Sequence, residues 1–213
     1  MKAALSRRVM QGLSVQTVID VGASTGSWSK MAQEFISDAI YLLIEANSFH
    51  ESKLVEFKKQ NPKVEYLLAA AGDYVGELYF DAQDPFGGTA SHEVIHTSDI
   101  TVQVTTIDAQ VKEKGLKPPF LMKLDTHGFE IPILRGAEET LKNTKLVIIE
   151  AYNFKLTQDC LQFWELCDHM KKKGFQPIDI CDPMHRPKDQ SFWQMDIFFI
   201  PNSSREFKSN KYN

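Results

Sequence analysis

The chain has 213 residues, 43% hydrophobic and 24% charged, enough apolar material for a sizeable core and inconsistent with a fibrous or wholly disordered protein. Its 24 Lys plus Arg against 28 Asp plus Glu leave a formal charge of -4, so no basic excess exists to neutralise a run of nucleic-acid phosphates. Three cysteines, Cys160, Cys167 and Cys181, are an odd number without CxxC spacing, which argues against a disulfide framework or zinc ribbon and points to a reducing compartment.

In chain order, the start carries Lys2, Arg7 and Arg8 with no apolar stretch behind them, and no apolar run reaches the roughly 20 residues that span a bilayer. A soluble, cytoplasmic chain is expected, with no membrane span and no nucleic-acid partner. From residue 17 onward, short apolar runs alternate with segments of helical period, the pattern of a parallel sheet covered by helices. Residues 17–22, 39–45 and 64–70 read as the first three strands, mostly apolar because both faces are covered. Residues 28–36 and 51–60 fit amphipathic crossover helices.

Strands four and five are predicted over 120–125 and 145–150, with a helix over 130–141 between them. Ahead of strand four, residues 76–111 hold two period-two segments, 77–80 and 101–105, around a Gly/Ser/Thr-rich stretch, read as an inserted hairpin and loop near the site. Residues 175–180 and 192–200 suggest two last strands joined by a polar stretch. The expectation is one α/β domain over 1–201, with a mostly parallel central sheet of about seven strands and helices on both faces, followed by a flexible polar tail over 202–213.

The strongest local signal is Val18-Ile19-Asp20-Val21-Gly22-Ala23-Ser24-Thr25-Gly26-Ser27-Trp28, a buried strand entering a glycine loop and then a helix. Such glycines let the backbone turn sharply and a ligand approach the peptide groups, while the helix presents free N–H donors. A dinucleotide fingerprint would need glycine where Ser24 and Ser27 stand. Asp20 adds a carboxylate suited to a positive centre. Glu45 closes the second strand, where an acid can accept hydrogen bonds from the ribose hydroxyls of a nucleoside. Trp28 reads first as core packing on the first helix and second as a wall of the ligand site. The remaining candidates for the nucleoside site are Ala46 after the second strand, Ala70 at the end of the third and Ala71 beyond it.

The second cluster is Lys123-Leu124-Asp125-Thr126-His127-Gly128-Phe129-Glu130, at the end of strand four. Alternation puts Lys123 and Asp125 on one face, with His127 just beyond the edge, where it can take a proton. Lys123, Asp125 and His127 are the candidate catalytic residues, and the competing reading makes Lys123 and Asp125 a structural ion pair.

Together these residues resemble the FkbM-type methyltransferases. The likeness rests on Val-Ile-Asp-Val-Gly-Ala-x-x-Gly, the acidic strand end, Lys-Leu-Asp-x-x-Gly-x-Glu followed by Ile133-Leu134-Arg135-Gly136-Ala137, and Val147-Ile148-Ile149-Glu150. It implies a Rossmann-like class I methyltransferase sheet, S-adenosylmethionine as methyl donor with S-adenosylhomocysteine as product, and a hydroxyl acceptor on a sugar, glycan or secondary metabolite. Carried over by position, Asp20, Gly22 and Gly26 match the donor loop, Glu45 the ribose-binding acid, and Asp125 with Glu130 the Asp-Val-Glu-Gly-x-Glu signature. His127 replaces the first Glu of that signature, so that residue's role does not transfer. With only about sixteen residues before the first strand, acceptor recognition falls to residues 76–111 and to the stretch after Glu150.

His127 is read as the base that receives the acceptor proton, with Asp125 orienting it or holding the donor's amino group, and no residue is assigned to a metal. A rival, metal-assisted reading uses Asp125, Glu150 and Asn153 as oxygen ligands. His92-Glu93-Val94-Ile95-His96 matches a zinc-hydrolase motif, but that chemistry needs a helix, and the flanking Gly87-Gly88-Thr89 and Thr97-Ser98-Asp99 argue against one. A non-catalytic nucleoside-binding module is the last alternative. The apolar residues of the last two strands leave a homodimer contact open.

Overall fold

The computed structural model describes residues 1–94, 96–157 and 160–212. Its main sheet has seven strands: β1 (Thr17–Val21), β2 (Ile40–Glu45), β3 (Val64–Leu68), β8 (Phe120–Leu124), β9 (Thr144–Tyr152), β10 (Phe175–His185) and β11 (Phe192–Pro201). They lie in the order β3-β2-β1-β8-β9-β11-β10. The first five are mutually parallel, whereas β11 runs antiparallel to both β9 and β10. The strand order reverses between β1 and β8, so their C-terminal ends open a crevice where a ligand can reach the sheet.

All five residues of β1 and of β8 are buried, because both faces of the sheet are covered. Period-two alternation divides them. Ile19, Val21, Met122, Leu124, Val147 and Ile149 face one core. There they meet Ile107 of α4 (Ile107–Glu113), Ile133 and Leu134 of α5 (Glu130–Arg135), Leu141 of α6 (Glu138–Leu141), and Leu166 and Met170 of α7 (Phe163–Lys172). Val18, Leu43, Leu121, Ile148 and Phe198 face the other core, closed by Leu5 of α1 (Lys2–Met10), Ala32 of α2 (Ser27–Gln33), and Leu54 and Phe57 of α3 (Glu51–Gln60).

Several elements differ from expectation. The run 64–70 divides after Leu68, and Ala70–Ala71 forms β4 of a second sheet with β5 (Gly76–Asp81), β6 (Thr89–Ser91) and β7 (Ile100–Thr105), in the order β4-β7-β5-β6. The insert therefore supplies three strands, β5 to β7, of a four-stranded sheet, and Leu78, Phe80 and Val104 pack it onto the main core. The single helix expected over 130–141 is two, α5 and α6, broken at Gly136, where a Cβ would lie 1.9 Å from the Gly72 carbonyl oxygen. The break lets the Asp108 carboxylate accept the N–H groups of Glu139 and Thr140 at 2.9 and 2.8 Å, capping α6.

Helices α1, α4 and α7 were not anticipated. In α7 the Gln162/Glu165 capping box and the pair Leu166 and Met170 are the signals that could have revealed it. Residues 202–212 hold a 3₁₀ turn at Arg205–Lys208 whose Phe207 packs against the second core, and the Arg205 guanidinium donates to the Gln11 carbonyl. Among the described residues, no helix is long and apolar enough to cross a membrane.

Candidate functional site

At the C-terminal ends of β1, β2 and β8 lies a cavity of about 410 Å³, within the range of small-molecule sites. The chain leaves β1 through Gly22, whose φ is +74° and whose added Cβ would sit 2.0 Å from the Asp125 carbonyl oxygen. Only glycine lets the two strand ends approach this closely. The Ser24 N–H then donates to Glu45 Oε2 at 2.6 Å, and the Asn47 N–H to Oε1 at 2.7 Å. These bonds fix the buried Glu45 carboxylate at the cavity wall while each oxygen keeps a lone pair for a ligand hydroxyl.

Of the predicted donor-site residues, Gly22, Ala23, Ser24, Trp28, Glu45, Ala46, Ala70, Ala71 and Asp125 all line this cavity. Asp20 and Gly26 stand outside its lining. Asp20 is 1% exposed and accepts the Ser29 hydroxyl at 2.6 Å, so it braces the start of α2 from below. Burial pushes its carboxyl up to about 6, against the Ser29 bond and the Lys123 charge. Gly26, with φ of +74°, turns the chain into α2 against Phe57.

The second cluster gathers around Lys123, whose side chain is 2% exposed and bridges Asp125 at 2.8 Å and Asp196 at 3.4 Å. Burial works against the ammonium, but those carboxylates outweigh it and raise its pKa. Burial likewise works against the Asp125 carboxylate, and the Lys123 ammonium more than compensates, holding it below its ordinary range. Glu150 lies close by on β9. Burial first, and the Asp125 charge second, push its carboxyl up to about 8. Tyr152 Oη and Gln194 Nε2 both donate to Glu150.

His127 lines the cavity with a left-handed φ of +48°, a conformation that aims its ring into the cluster. Its Nδ1–H donates to the Gly88 carbonyl at 3.2 Å, and its Nε2 faces Glu150 Oε2 at 3.6 Å. Lys123, by contrast, does not line the cavity and acts on it through Asp125.

The insert roofs the site. Pro85, Phe86, Gly88 and Ala90 line the cavity from above, and His50 Nε2–H donates to the Pro85 carbonyl at 2.7 Å. Asn47, His50 and Gly88 were missed in the sequence. Only their nearness to Glu45 and to the Gly/Ser/Thr-rich stretch could have flagged them.

The donor atoms of Asp125, His127 and Glu150 lie within 4.8 Å of one another. The metal-assisted reading also uses Asn153. Its side-chain amide donates to the Phe192 carbonyl at 3.0 Å. His92, Glu93, Val94 and His96 lie in the non-helical link between β6 and β7, and Ile95 of that motif lies outside the described residues. The helical platform a zinc-hydrolase motif requires is therefore missing among the described residues.

The residues present fit S-adenosylmethionine. Glu45 offers lone pairs to ribose hydroxyls, and Trp28 Nε1–H, on the cavity wall, is buried with no hydrogen-bond partner among the described residues.

Comparison with known proteins adds a likeness of sequence and one of fold. No curated protein sequence matches the chain. The methyltransferase FkbM from Methylobacillus flagellatus KT superposes with a TM-score of 0.54 at 17% identity, over 85% of this chain and 43% of that one. The chain thus spans less than half the length of that protein. The fibrillarin pre-rRNA processing protein of Methanococcus jannaschii gives 0.54 at 13% identity, over 96% of this chain and 76% of that one. The 1,6-didemethyltoxoflavin-N1-methyltransferase of Burkholderia thailandensis, solved with S-adenosylhomocysteine bound, gives 0.52 at 12% identity, over 94% and 76%. At such identities these structures share the fold with this chain. The sequence model of the methyltransferase FkbM domain matches residues 20–177, most of the chain and every residue that lines the cavity, and on that match the chain belongs to the FkbM methyltransferase family.

Proposed function

We propose that this chain transfers the methyl group of S-adenosylmethionine to a hydroxyl oxygen of a small-molecule or glycan acceptor, with His127 taking the hydroxyl proton. The observation that carries the reading is the setting of that imidazole. Its Nδ1–H is committed to the Gly88 carbonyl, which leaves the Nε2 lone pair to take a proton, with Glu150 Oε2 3.6 Å away. When bound, S-adenosylmethionine supplies an electrophilic methyl carbon on a sulfonium that departs as a neutral thioether.

The chain's own residues have two tasks. One is alignment, worth several of the roughly 7 to 11 kcal/mol available to fully oriented reactants. The other is the proton, which His127 Nε2 accepts as the new C–O bond forms, a step worth about 10² to 10⁴ in rate. The resulting imidazolium faces Glu150 at 3.6 Å. Asp125, kept ionised by Lys123, is the standing countercharge beside it.

The test follows label from methyl-labelled S-adenosylmethionine into a panel of sugars, polyketide alcohols and small alcohols. Wild-type protein should form an alkali-stable methyl ether. His127→Ala should lower turnover by about 10² or more with S-adenosylhomocysteine affinity within about twofold of wild type. Lost donor affinity with unchanged turnover would overturn the role of His127.

A metal-assisted reading is the runner-up, favoured by the spacing of Asp125, His127 and Glu150. Transfer that survives chelation removes it, and transfer restored only by a divalent cation replaces the first reading.

A further inference from the structure

We propose that His50 is a positioning residue for the proton-accepting imidazole: through the roof turn from Pro85 to Gly88 it holds the carbonyl that fixes His127 as its Nδ1–H tautomer. The inference rests on reading His127 as the base. A carbonyl oxygen only accepts, so the ring nitrogen that meets it carries the proton. The Gly88 carbonyl lies 3.2 Å from His127 Nδ1, which places the lone pair on Nε2. Without that carbonyl the proton is free to sit on Nε2, which faces Glu150 Oε2 at 3.6 Å, and the lone pair moves to Nδ1 on the roof side. The Tyr152 ring meets the imidazole edge-on with centroids 6.3 Å apart, a contact either tautomer keeps.

The position of Gly88 is set from two directions. It stands just outside the β5–β6 ladder, whose last pair is Asp81 with Thr89. A Cβ on Gly88 would fall 2.4 Å from Phe80 Cζ and 2.8 Å from the Asp81 carbonyl oxygen, so the turn is seated tightly on β5. Asp84 ties the turn together, its Oδ1 accepting the Phe86 N–H at 2.9 Å and its carbonyl the Gly87 N–H at 3.4 Å. The other direction is His50, 2% exposed at the end of the 3₁₀ turn Ser48–His50. Its Nε2–H donates to the Pro85 carbonyl at 2.7 Å, with Ser24 Oγ of the glycine loop 3.5 Å from the same nitrogen. The Phe86 ring packs beside it, centroids 5.3 Å apart. One histidine thus pins the start of the turn to the cavity wall, and the other takes its tautomer from the end.

The tautomer is read from the nitrogen chemical shifts of the His127 ring in ligand-free protein at about pH 8, above the ordinary histidine range. The readout needs no donor, acceptor or turnover. Wild type should carry its proton on Nδ1. His50→Leu keeps an apolar bulk and loses the N–H, and should lower the ratio of Nδ1–H to Nε2–H forms about fivefold or more, the worth of one hydrogen bond. His50→Gln, whose side-chain N–H reaches a similar point, should restore the ratio. Gly88→Ala unseats the other end of the turn with His50 intact and should shift the ratio in the same direction as His50→Leu. Melting temperatures report the fold of each variant.

A wild-type ring protonated on Nε2, or an unchanged ratio in folded His50→Leu, would overturn the inference. Should His50→Leu not stay folded, an unchanged ratio in Gly88→Ala would overturn it. Shifted ratios in the variants together with full turnover in His127→Ala would keep the coupling and remove the base reading instead.

Discussion

Lys123 shows how one side chain organises the site without touching it. Its ammonium pairs with Asp125 and Asp196, and its charge also acts on Asp20 and Glu150. Replacing Lys123 with Met should destabilise the fold by about 3 to 5 kcal/mol in denaturant unfolding at neutral pH, since Asp125 and Asp196 are left as uncompensated carboxylates. The gap from wild type should narrow as acid protonates them, and a gap that does not change with pH would point to packing loss instead. Lys123 and Asp125 could be paired from strand alternation alone, because residues two apart share a face. Asp196 could not, since it reaches the cluster through the antiparallel register of β11 on β9, where it opposes Glu150. The left-handed turn at His127 was not legible, because residues other than glycine seldom adopt it.

At the scale of elements, the strands of the main sheet and the helix Glu51–Gln60 were legible because their apolar periods are strong. The insert was harder. Its second sheet depends on β4, two alanines that follow β3 after one residue and pair in parallel with β7, a contact no local pattern announces. The α5/α6 break was likewise hidden, because its cause is the approach of Gly72 and Asp108 from distant chain. Asp108→Ala removes the acceptor for the Glu139 and Thr140 N–H groups and for the Thr140 hydroxyl at 2.6 Å. It should cost about 1 to 2 kcal/mol in thermal or denaturant unfolding. Because α6 lies away from the cavity, donor affinity should hold.

Across the whole molecule, the buried acids set the pH dependence of stability. Burial raises the pKa of Asp20 from 3.8 to about 6 and that of Glu150 from 4.5 to about 8. Glu130 is raised in the same direction. Each then holds its proton more tightly when folded, so its contribution is full below the ordinary carboxyl value and is lost as pH climbs to the folded value. The melting temperature should therefore fall from about pH 5 to about pH 8. Glu150→Gln, which mimics the protonated acid, should flatten the upper part of that fall and match wild type near pH 5. A wild-type curve that rises over this interval would contradict the protonation assigned to Glu150.

The family and the sheet were legible from the glycine loop and the strand-four cluster. Asn47 and the histidine latches to the roof were not, because they are made by side chains that meet only in the folded chain. The central claim is that the cavity over β1, β2 and β8 binds a methyl donor. Calorimetric titration of the purified, chelator-treated chain with S-adenosylmethionine and, separately, with NAD tests it most directly. Micromolar binding of S-adenosylmethionine and none of NAD is the predicted result. No heat from S-adenosylmethionine would contradict the account.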